Sequence, residues 1–158
     1  MKNIRVILLG ELLLLIAAFL ITVLLGTGGF SSIRWFIDLP SVVLIALVLI
    51  PGLLIMGVWK DFTKSFSVGI GHYSLLELKN IIGAVDAAQK LTLFAALLAI
   101  VISGILILGN VDDLSKLGPN LAVCFISGLY AVIVEFFLLP LRLNAERKMN
   151  EEMDFDNE

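Results

Sequence analysis

The chain has 158 residues, of which 59% are apolar and only 16% are charged. Soluble domains carry about a quarter charged residues. This composition therefore excludes intrinsic disorder and argues against a soluble enzyme, because the polar surface is too small to cover so much Leu, Ile and Val. The formal net charge of −3, without a basic patch, argues against nucleic acid as a partner. A single cysteine and a single histidine leave little material for a disulfide, a metal site or a catalytic triad, so we expect no cofactor and no enzymatic activity.

Four apolar runs are long enough to cross a membrane. About 20 helical residues cover a hydrocarbon core that is about 30 Å thick. The sequence therefore predicts an all-α, polytopic membrane protein with one transmembrane domain and four spans, at residues 6–25, 39–59, 91–109 and 117–141. Asp38 and Pro40 at the head of the second span are typical of an N-cap followed by a helix start.

The distribution of basic residues predicts the orientation of these spans. All of the 11 Lys and Arg residues except Arg34 and Lys116 fall near the two termini or in the long loop 60–90. Loops that are rich in Lys and Arg stay in the cytoplasm. Both termini and the long loop are therefore expected to be cytoplasmic.

The long loop and the C-terminal tail have predicted structure of their own. Ser74 followed by Glu77 is the pattern of a capping box. We expect a helix that begins at about Leu75 and runs directly into the third span. The acidic tail, residues 142–158, is expected to be a solvated extension of the fourth helix that frays at its end.

Small and polar side chains form one stripe on each of the last two spans. Their steps of three and four residues place each set on one helix face. Such a stripe lets helices pack closely in a membrane, or it lines a narrow wet path; close packing is the simpler interpretation. The candidate pore-lining or partner-binding residues are Thr92, Ala99 and Ser103 on the third span, beside Ala96, and Asn120, Cys124, Ser127, Ala131 and Glu135 on the fourth.

Two carboxylates lie within the apolar spans. Intramembrane acids are costly and indicate function by default. Glu11 is near enough to the start of its span to reach the interface, where Arg5 is a possible partner. Glu135 shares a face with Ser127 and Ala131, so it is the better candidate to attract a cation or to bind a basic partner residue.

Two stretches of the sequence resemble a known family. The segment 36–41, Phe-Ile-Asp-Leu-Pro-Ser, is similar to the start of the second helix of MotA, the flagellar stator subunit. The segment 110–123, Asn-Val-Asp-Asp-Leu-Ser-Lys-Leu-Gly-Pro-Asn-Leu-Ala-Val, resembles the turn between the last two MotA helices. The likeness continues through Leu129-Tyr130 and through residues 137–141, Phe-Leu-Leu-Pro-Leu.

The resemblance implies membership of the wider MotA/TolQ/ExbB group. Such proteins form a homopentameric ring in the bacterial inner membrane around a single-span partner of the MotB, TolR or ExbD type. Ion flow past an acid on that partner drives motion, and the two inner helices correspond to spans three and four here. The chain departs from the family at Ile100 and Gly128, where the family has pore threonines. Its loop 60–90 is also too short for the rotor-binding domain of MotA.

The sequence therefore leaves two main functions open. The first is a MotA-like channel or stator subunit that couples proton or sodium flow to movement of a single-span partner. The second is a membrane scaffold of the same architecture that conducts no ions, which the missing threonines favour. A membrane enzyme is the weakest interpretation, because no span brings together a nucleophile, a histidine and an acid.

Overall fold

The computed structural model describes residues 4–26, 36–109 and 114–155, and within these ranges the chain is helical without strands. The elements are α1 (Ile4–Leu25), α2 (Leu39–Ile55), α3 (Trp59–Lys64), a 3₁₀ turn (Ser65–Ser67), α4 (Leu75–Gly109) and α5 (Leu114–Phe155). Helices α1, α4 and α5 are each long and apolar enough to cross a membrane. A fourth span is obtained if α2 and the bent segment after it count as one.

Helix α2 begins as the sequence predicts. Asp38 is the N-cap, and its Oδ2 accepts a hydrogen bond from the backbone N–H of Ser41 at 3.1 Å. Pro40 occupies the first turn, where its missing N–H would have no partner within the helix. The predicted cap and helix start are therefore confirmed.

Helix α2 ends earlier than the predicted span 39–59. The N–H of Gly57 donates to the carbonyl of Leu54 at 3.0 Å, and that of Val58 donates to the carbonyl of Leu53 at 3.1 Å. These two bonds form a Schellman motif, which needs a left-handed residue after the cap, and Gly57 has φ of 71°. The chain then bends by 111° into α3. The apolar run hides this break because Leu, Met and Val continue across it.

Helix α4 confirms the predicted capping box. The backbone N–H of Ser74 donates to Glu77 Oε2 at 3.1 Å, and the N–H of Glu77 donates to Ser74 Oγ at 3.3 Å. From Leu75 the helix continues without interruption to Gly109, as expected.

Helix α5 is longer than the predicted fourth span, since it runs on to Phe155 through most of the acidic tail. The expectation that this extension is solvated is wrong for one of its faces. Ala145 is fully buried and Lys148 is nearly so. Ala145 lies in the core that α5 shares with the start of α4 and the turn before it. Lys148 lies beside this core and fills space there with its long aliphatic stem.

Helices α4 and α5 form the centre of the bundle, with α2 packed mainly on α4 and α1 mainly on α5. The approach of α2 to α4 depends on Gly52. A Cβ atom at Gly52 would lie 2.8 Å from Leu91 Cδ1, which is closer than two carbon atoms can pack. One core cluster joins α1, α2, α4 and α5 near the α3 end of the bundle. Its buried members are Ile4, Leu53, Val85, Ala88, Leu138 and Leu141.

A second, smaller core lies beyond that end. Val68, Leu78, Ile81 and Ala145 are buried together. Lys148 Nζ donates to the carbonyl of Val68 at 3.3 Å and to that of Gly71, and it lies 5.9 Å from the centre of the Tyr73 ring. The turn between α3 and α4 is thus attached to α5 by a buried cation.

Candidate functional site

The predicted stripe on α4 is buried inside the single chain. Thr92 is 0% exposed, and its hydroxyl donates to the carbonyl of Ala88 at 2.9 Å. Ala96, Ala99 and Ser103 are buried along the same face. These side chains therefore fill the interface between α4 and its neighbours in the same chain.

The stripe on α5 is buried only in its middle. Ser127 and Ala131 are buried, whereas Asn120, Cys124 and Glu135 are half-buried. Within spans 91–109 and 117–141, the exposed side chains of the two helices are apolar, as at Phe94, Leu97 and Val101 on α4 and at Phe125 and Val132 on α5. Within one chain, the stripes act as close-packing surfaces.

A polar cluster joins the start of α2 to the middle of α5. Ser41 Oγ lies 2.9 Å from Ser127 Oγ and donates to Asp38 Oδ2. The Tyr130 hydroxyl donates to the carbonyl of Phe36 at 2.8 Å and lies 3.2 Å from the backbone N of Asp38, from which it accepts. We call these five residues (Phe36, Asp38, Ser41, Ser127 and Tyr130) the Asp38 cluster.

The sequence reasoning selected Ser127 but missed Ser41 and Tyr130 as its neighbours. Judged by local spacing, Ser41 is only the third residue of a capped helix, and Tyr130 is an isolated hydroxyl in an apolar run. A contact across 86 residues, such as that between Ser41 and Ser127, follows from helix packing and not from local spacing.

A second polar pair lies within the apolar part of the α4–α5 interface. Gln89 Nε2 donates to Glu135 Oε2 at 3.0 Å. Glu135 Oε1 is buried and has no hydrogen-bond partner. Gln89 was not selected from the sequence, although a Gln at the start of an apolar run is a signal of the same kind as Glu135.

Glu11 lies on the inward face of α1. It shares that face with Ile4 and Leu8, which pack against the core cluster that includes Leu138 of α5. Its Oε2 is buried and without a hydrogen-bond partner. The expected pairing with Arg5 involves a side chain outside the described part of the structure.

An ion-pair network lies one turn from Gln89 toward the α3 end. Asp86 Oδ2 is 2.6 Å from Lys90 Nζ, and Asp86 Oδ1 is 3.3 Å from Arg142 Nη1. Arg142 Nε also donates to Glu146 Oε1 at 2.9 Å. The hydrogen bond from Lys90 lowers the pKa of Asp86 from its ordinary value, so Asp86 is ionised at neutral pH.

Beside the Asp38 cluster, the bundle contains an apolar groove of about 560 Å³ between α1 and α5. Its lining includes Phe36 and Tyr130 of that cluster, with Phe19 and Ile133. Within the described ranges, no group of three or more His, Cys, Asp or Glu residues could hold a metal ion. Lys2 and Arg34 of the predicted charge pattern fall outside those ranges, as does the side chain of Lys116.

Among the described side chains, the Asp38 cluster and the Gln89–Glu135 pair are the polar contacts that join helices within the apolar part of the bundle. Both are suited to holding helices together. Compared with models of known families, with curated proteins and with solved structures, the chain has no significant match.

Proposed function

We propose that this chain is a multi-pass subunit of a bacterial inner-membrane complex of the MotA/TolQ/ExbB kind. In this proposal it has four spans and cytoplasmic termini, and five copies form a ring around a single-span partner. The ring couples proton or sodium flow to movement of that partner, as a compact motor or stator subunit without a rotor-binding domain.

The observation that carries the proposal is the Asp38 cluster. Segment 36–41 and the helix that contains Leu129-Tyr130 are two of the stretches on which the family resemblance rests. In the fold they meet directly, through Ser41 and Ser127 and through Tyr130 and Phe36. Polar groups between membrane helices are costly unless they are satisfied, so this satisfied contact between two of the resembling stretches supports the proposal.

The charge distribution supports the proposed orientation. The α3 end of the bundle carries exposed basic side chains on three separate elements, at Lys60, Lys79 and Arg147. In the family architecture this end faces the cytoplasm, which agrees with the tendency of Lys and Arg to stay on that side.

The apolar outer faces of α4 and α5 support assembly in the membrane. Phe94, Leu97 and Val132 are each more than half exposed in the single chain. Lipid or neighbouring helices are the environments that such surfaces favour. A ring of copies with a partner helix at its centre would cover part of them.

A scaffold that conducts no ions is the second candidate, and it has its own supporting observation. Thr92, Ser103 and Ser127 are buried within the chain, so their hydroxyls are not available to line a path between copies. The exposed faces of α4 and α5 would then give a ring with a dry, apolar centre.

Two measurements test these alternatives. The native mass of the complex, purified from its own cells in detergent together with any single-span protein that it retains, should equal five copies plus partner; a monomer would overturn the proposal. The same complex in liposomes should conduct protons or sodium ions when the partner is present. A complete ring without flux would leave the scaffold as the function.

A further inference from the structure

We propose that Glu135 is a proton-binding site carried by this chain, and that it exchanges its proton with water at the α3 end of the bundle, on the side where Gln89 and the ion-pair network of Asp86 lie. The inference rests on the proposed function and deepens it. It places an ion site on the multi-pass subunit itself, whereas the family resemblance implies one on the partner.

The first argument is the unsatisfied oxygen of Glu135. Oε2 accepts from Gln89 at 3.0 Å, but Oε1 is buried without any donor. Among the described residues no Lys, Arg or His forms an ion pair with this carboxyl group. A carboxylate in an apolar interior without a counter-ion is far less stable than the neutral acid. A proton on Oε1 removes the charge without any other ligand.

The second argument is the chemistry of Gln89. A carboxamide donates through its nitrogen and accepts through its oxygen. The Nε2 of Gln89 donates to Glu135 Oε2, which remains an acceptor whether or not Oε1 carries the proton. A residue that serves both protonation states is suited to a site that gains and loses a proton. A metal ion is a poorer ligand here, because the described residues contain no cluster of acids, His or Cys to complete its coordination.

The third argument is the direction of access. Asp86 precedes Gln89 by three residues on α4, which is about 4.5 Å of helix rise on the same side. Asp86 in turn contacts Lys90 and Arg142, which are partly exposed to solvent. Polar atoms thus lead from the α3 end to Glu135.

Toward the opposite end, the neighbouring polar groups are engaged elsewhere. The next polar side chain on α5 is Tyr130, about 7.5 Å away along the helix, and its hydroxyl is bonded to Phe36 and Asp38. Ser127 lies about 12 Å away, with buried Ala131 between. Thr92 lies nearby on α4, but its hydroxyl is already bonded to the carbonyl of Ala88. The proton is therefore exchanged with one side of the bundle only while the chain keeps this conformation.

The surrounding charges adjust the affinity of the site for a proton. The charged groups on the helices of the bundle include Asp86 and Lys90 on α4, Arg142 on α5, Glu11 on α1 and Asp38 at the start of α2. Lys90 is engaged by Asp86, and Arg142 is engaged by Asp86 and Glu146, so neither cation forms an ion pair with Glu135. When the site empties, the O–H bond of Glu135 breaks, its electron pair stays on the carboxylate, and the proton passes to water at the α3 end.

Infrared spectroscopy of the purified chain in phosphatidylcholine and phosphatidylglycerol bilayers, without any partner, tests the site. A protonated, desolvated carboxyl group gives a separate C=O stretching band. In a Glu11→Gln background, used because Glu11 Oε2 is also buried without a hydrogen-bond partner, we expect a band that is lost in Glu135→Gln, which has nearly the same shape as the neutral acid. Glu146→Gln is the matched control, because Glu146 lies on the same helix in the solvated ion-pair network, and it should keep the band.

A second variant keeps the test decisive if Glu135→Gln fails to fold. Gln89→Leu removes the hydrogen bond but leaves the acid, so the band should shift in frequency without being lost. A Glu11→Gln spectrum without the band, a band that persists in a folded Glu135→Gln variant of that background, or an unshifted band in Gln89→Leu would overturn the inference.

The outcomes separate the inference from the proposed function. A band assigned to Glu135 in a chain whose complex conducts no ions would retain the proton site and reject ion coupling. Ion flux through a complex whose chain has no such band would retain ion coupling and reject the site on Glu135.

Discussion

Ser41 Oγ and Ser127 Oγ lie 2.9 Å apart, between the first turn of α2 and the middle of α5. Both side chains are buried, so this contact sets the position of α2 against the central helix pair. The neighbouring bond from Tyr130 to the carbonyl of Phe36 holds the chain that enters α2.

Removing either hydroxyl should therefore loosen the start of α2. The Ser127 hydroxyl also donates to the carbonyl of Val123 at 2.7 Å, and the Ser41 hydroxyl donates to Asp38. We expect Ser127→Ala and Ser41→Ala each to lower the free energy of unfolding in detergent, with a coupling of about 0.6 kcal/mol between them, the average from double-mutant cycles on membrane helices. The double variant should lose less than the sum, because the two changes remove the same contact. Thr22→Ala is the control, since the Thr22 hydroxyl only donates within α1 and is exposed. Additive losses would show that the two hydroxyls do not interact.

Substitution of Gly52 should disturb the contact between α2 and Leu91 of α4. A Cβ atom there would lie 2.8 Å from Leu91 Cδ1, so Gly52→Ala displaces the Leu91 side chain. We expect a loss of about 1 kcal/mol, the low end for overpacked cores, because a flexible side chain absorbs the clash. Leu91→Ala should restore part of that loss in the double variant, because it empties the space that the new methyl group needs.

Gly83 provides the matched control for this prediction. A Cβ atom at Gly83 meets nothing within 4 Å, and the residue lies inside α4, where alanine favours the helix by about 1 kcal/mol. Gly83→Ala should therefore raise stability while Gly52→Ala lowers it. Equal effects of the two variants would contradict the close approach of α2 and α4.

Substitution of Gly57 should weaken the turn between α2 and α3. Its φ of 71° costs an L-residue about 1–2 kcal/mol, so Gly57→Ala should lower stability by about that amount. Gly57→Asn should lower it less, because Asn tolerates this region of backbone space. Thermal unfolding followed by circular dichroism measures both variants. A neutral Gly57→Ala would mean that the chain does not make this turn.

Replacement of Lys148 should release the turn between α3 and α4. Lys148→Met keeps the aliphatic stem but leaves the carbonyls of Val68 and Gly71 without their buried donor. An unsatisfied buried group costs about 1–3 kcal/mol. Amide hydrogen exchange in residues 68–74 should accelerate. Arg147→Met, at the exposed neighbouring position, should leave exchange unchanged, and similar behaviour of the two variants would argue against the contact.

Acid should melt the first turn of α4. The hydrogen bond from the backbone of Ser74, with that from Lys64, holds the pKa of Glu77 below its ordinary value of 4.5. A lowered pKa in the folded state means that the stabilisation is complete above about pH 4.5 and is lost as pH falls through the folded value. Exchange protection of residues 75–78, corrected for intrinsic rates, should fall over that range.

Glu77→Gln is the variant that checks this assignment. Its amide still reaches the Ser74 backbone but does not titrate, so protection of the first turn should become independent of pH in the acid range. Glu151→Gln, at an exposed position near the end of α5, should behave as the wild type. A wild-type profile in Glu77→Gln would assign the transition to another group.

Local signals in the sequence were sufficient to predict where α2 and α4 begin. The Asp38 cap and the capping box of Ser74 and Glu77 depend on residues within one turn, and both are confirmed. The end of α2 was missed because a single Gly57 stops the helix inside an apolar run. The buried face of the C-terminal extension was missed because charged residues around Ala145 and Lys148 mask it.

The candidate site was predictable only in part. Periodicity places Ser127 and Glu135 on one face, but it does not say whether that face meets another helix of the same chain or a second copy. The partners Ser41 and Gln89 come from distant parts of the chain, and their contacts depend on how far each helix is shifted along its neighbour. That shift is set by close approaches such as the one at Gly52, which leave no pattern in a single sequence.

The bend after Gly57 has a mechanical consequence. A segment that leaves α2 at 111° lies nearly in the plane of the membrane surface when α2 stands along the normal. Trp59 and Phe66 on that segment suit the headgroup layer. They are interfacial anchors that oppose movement of α2 along the membrane normal. Any large displacement of the subunit is then restricted to tilting or to rotation about an upright axis.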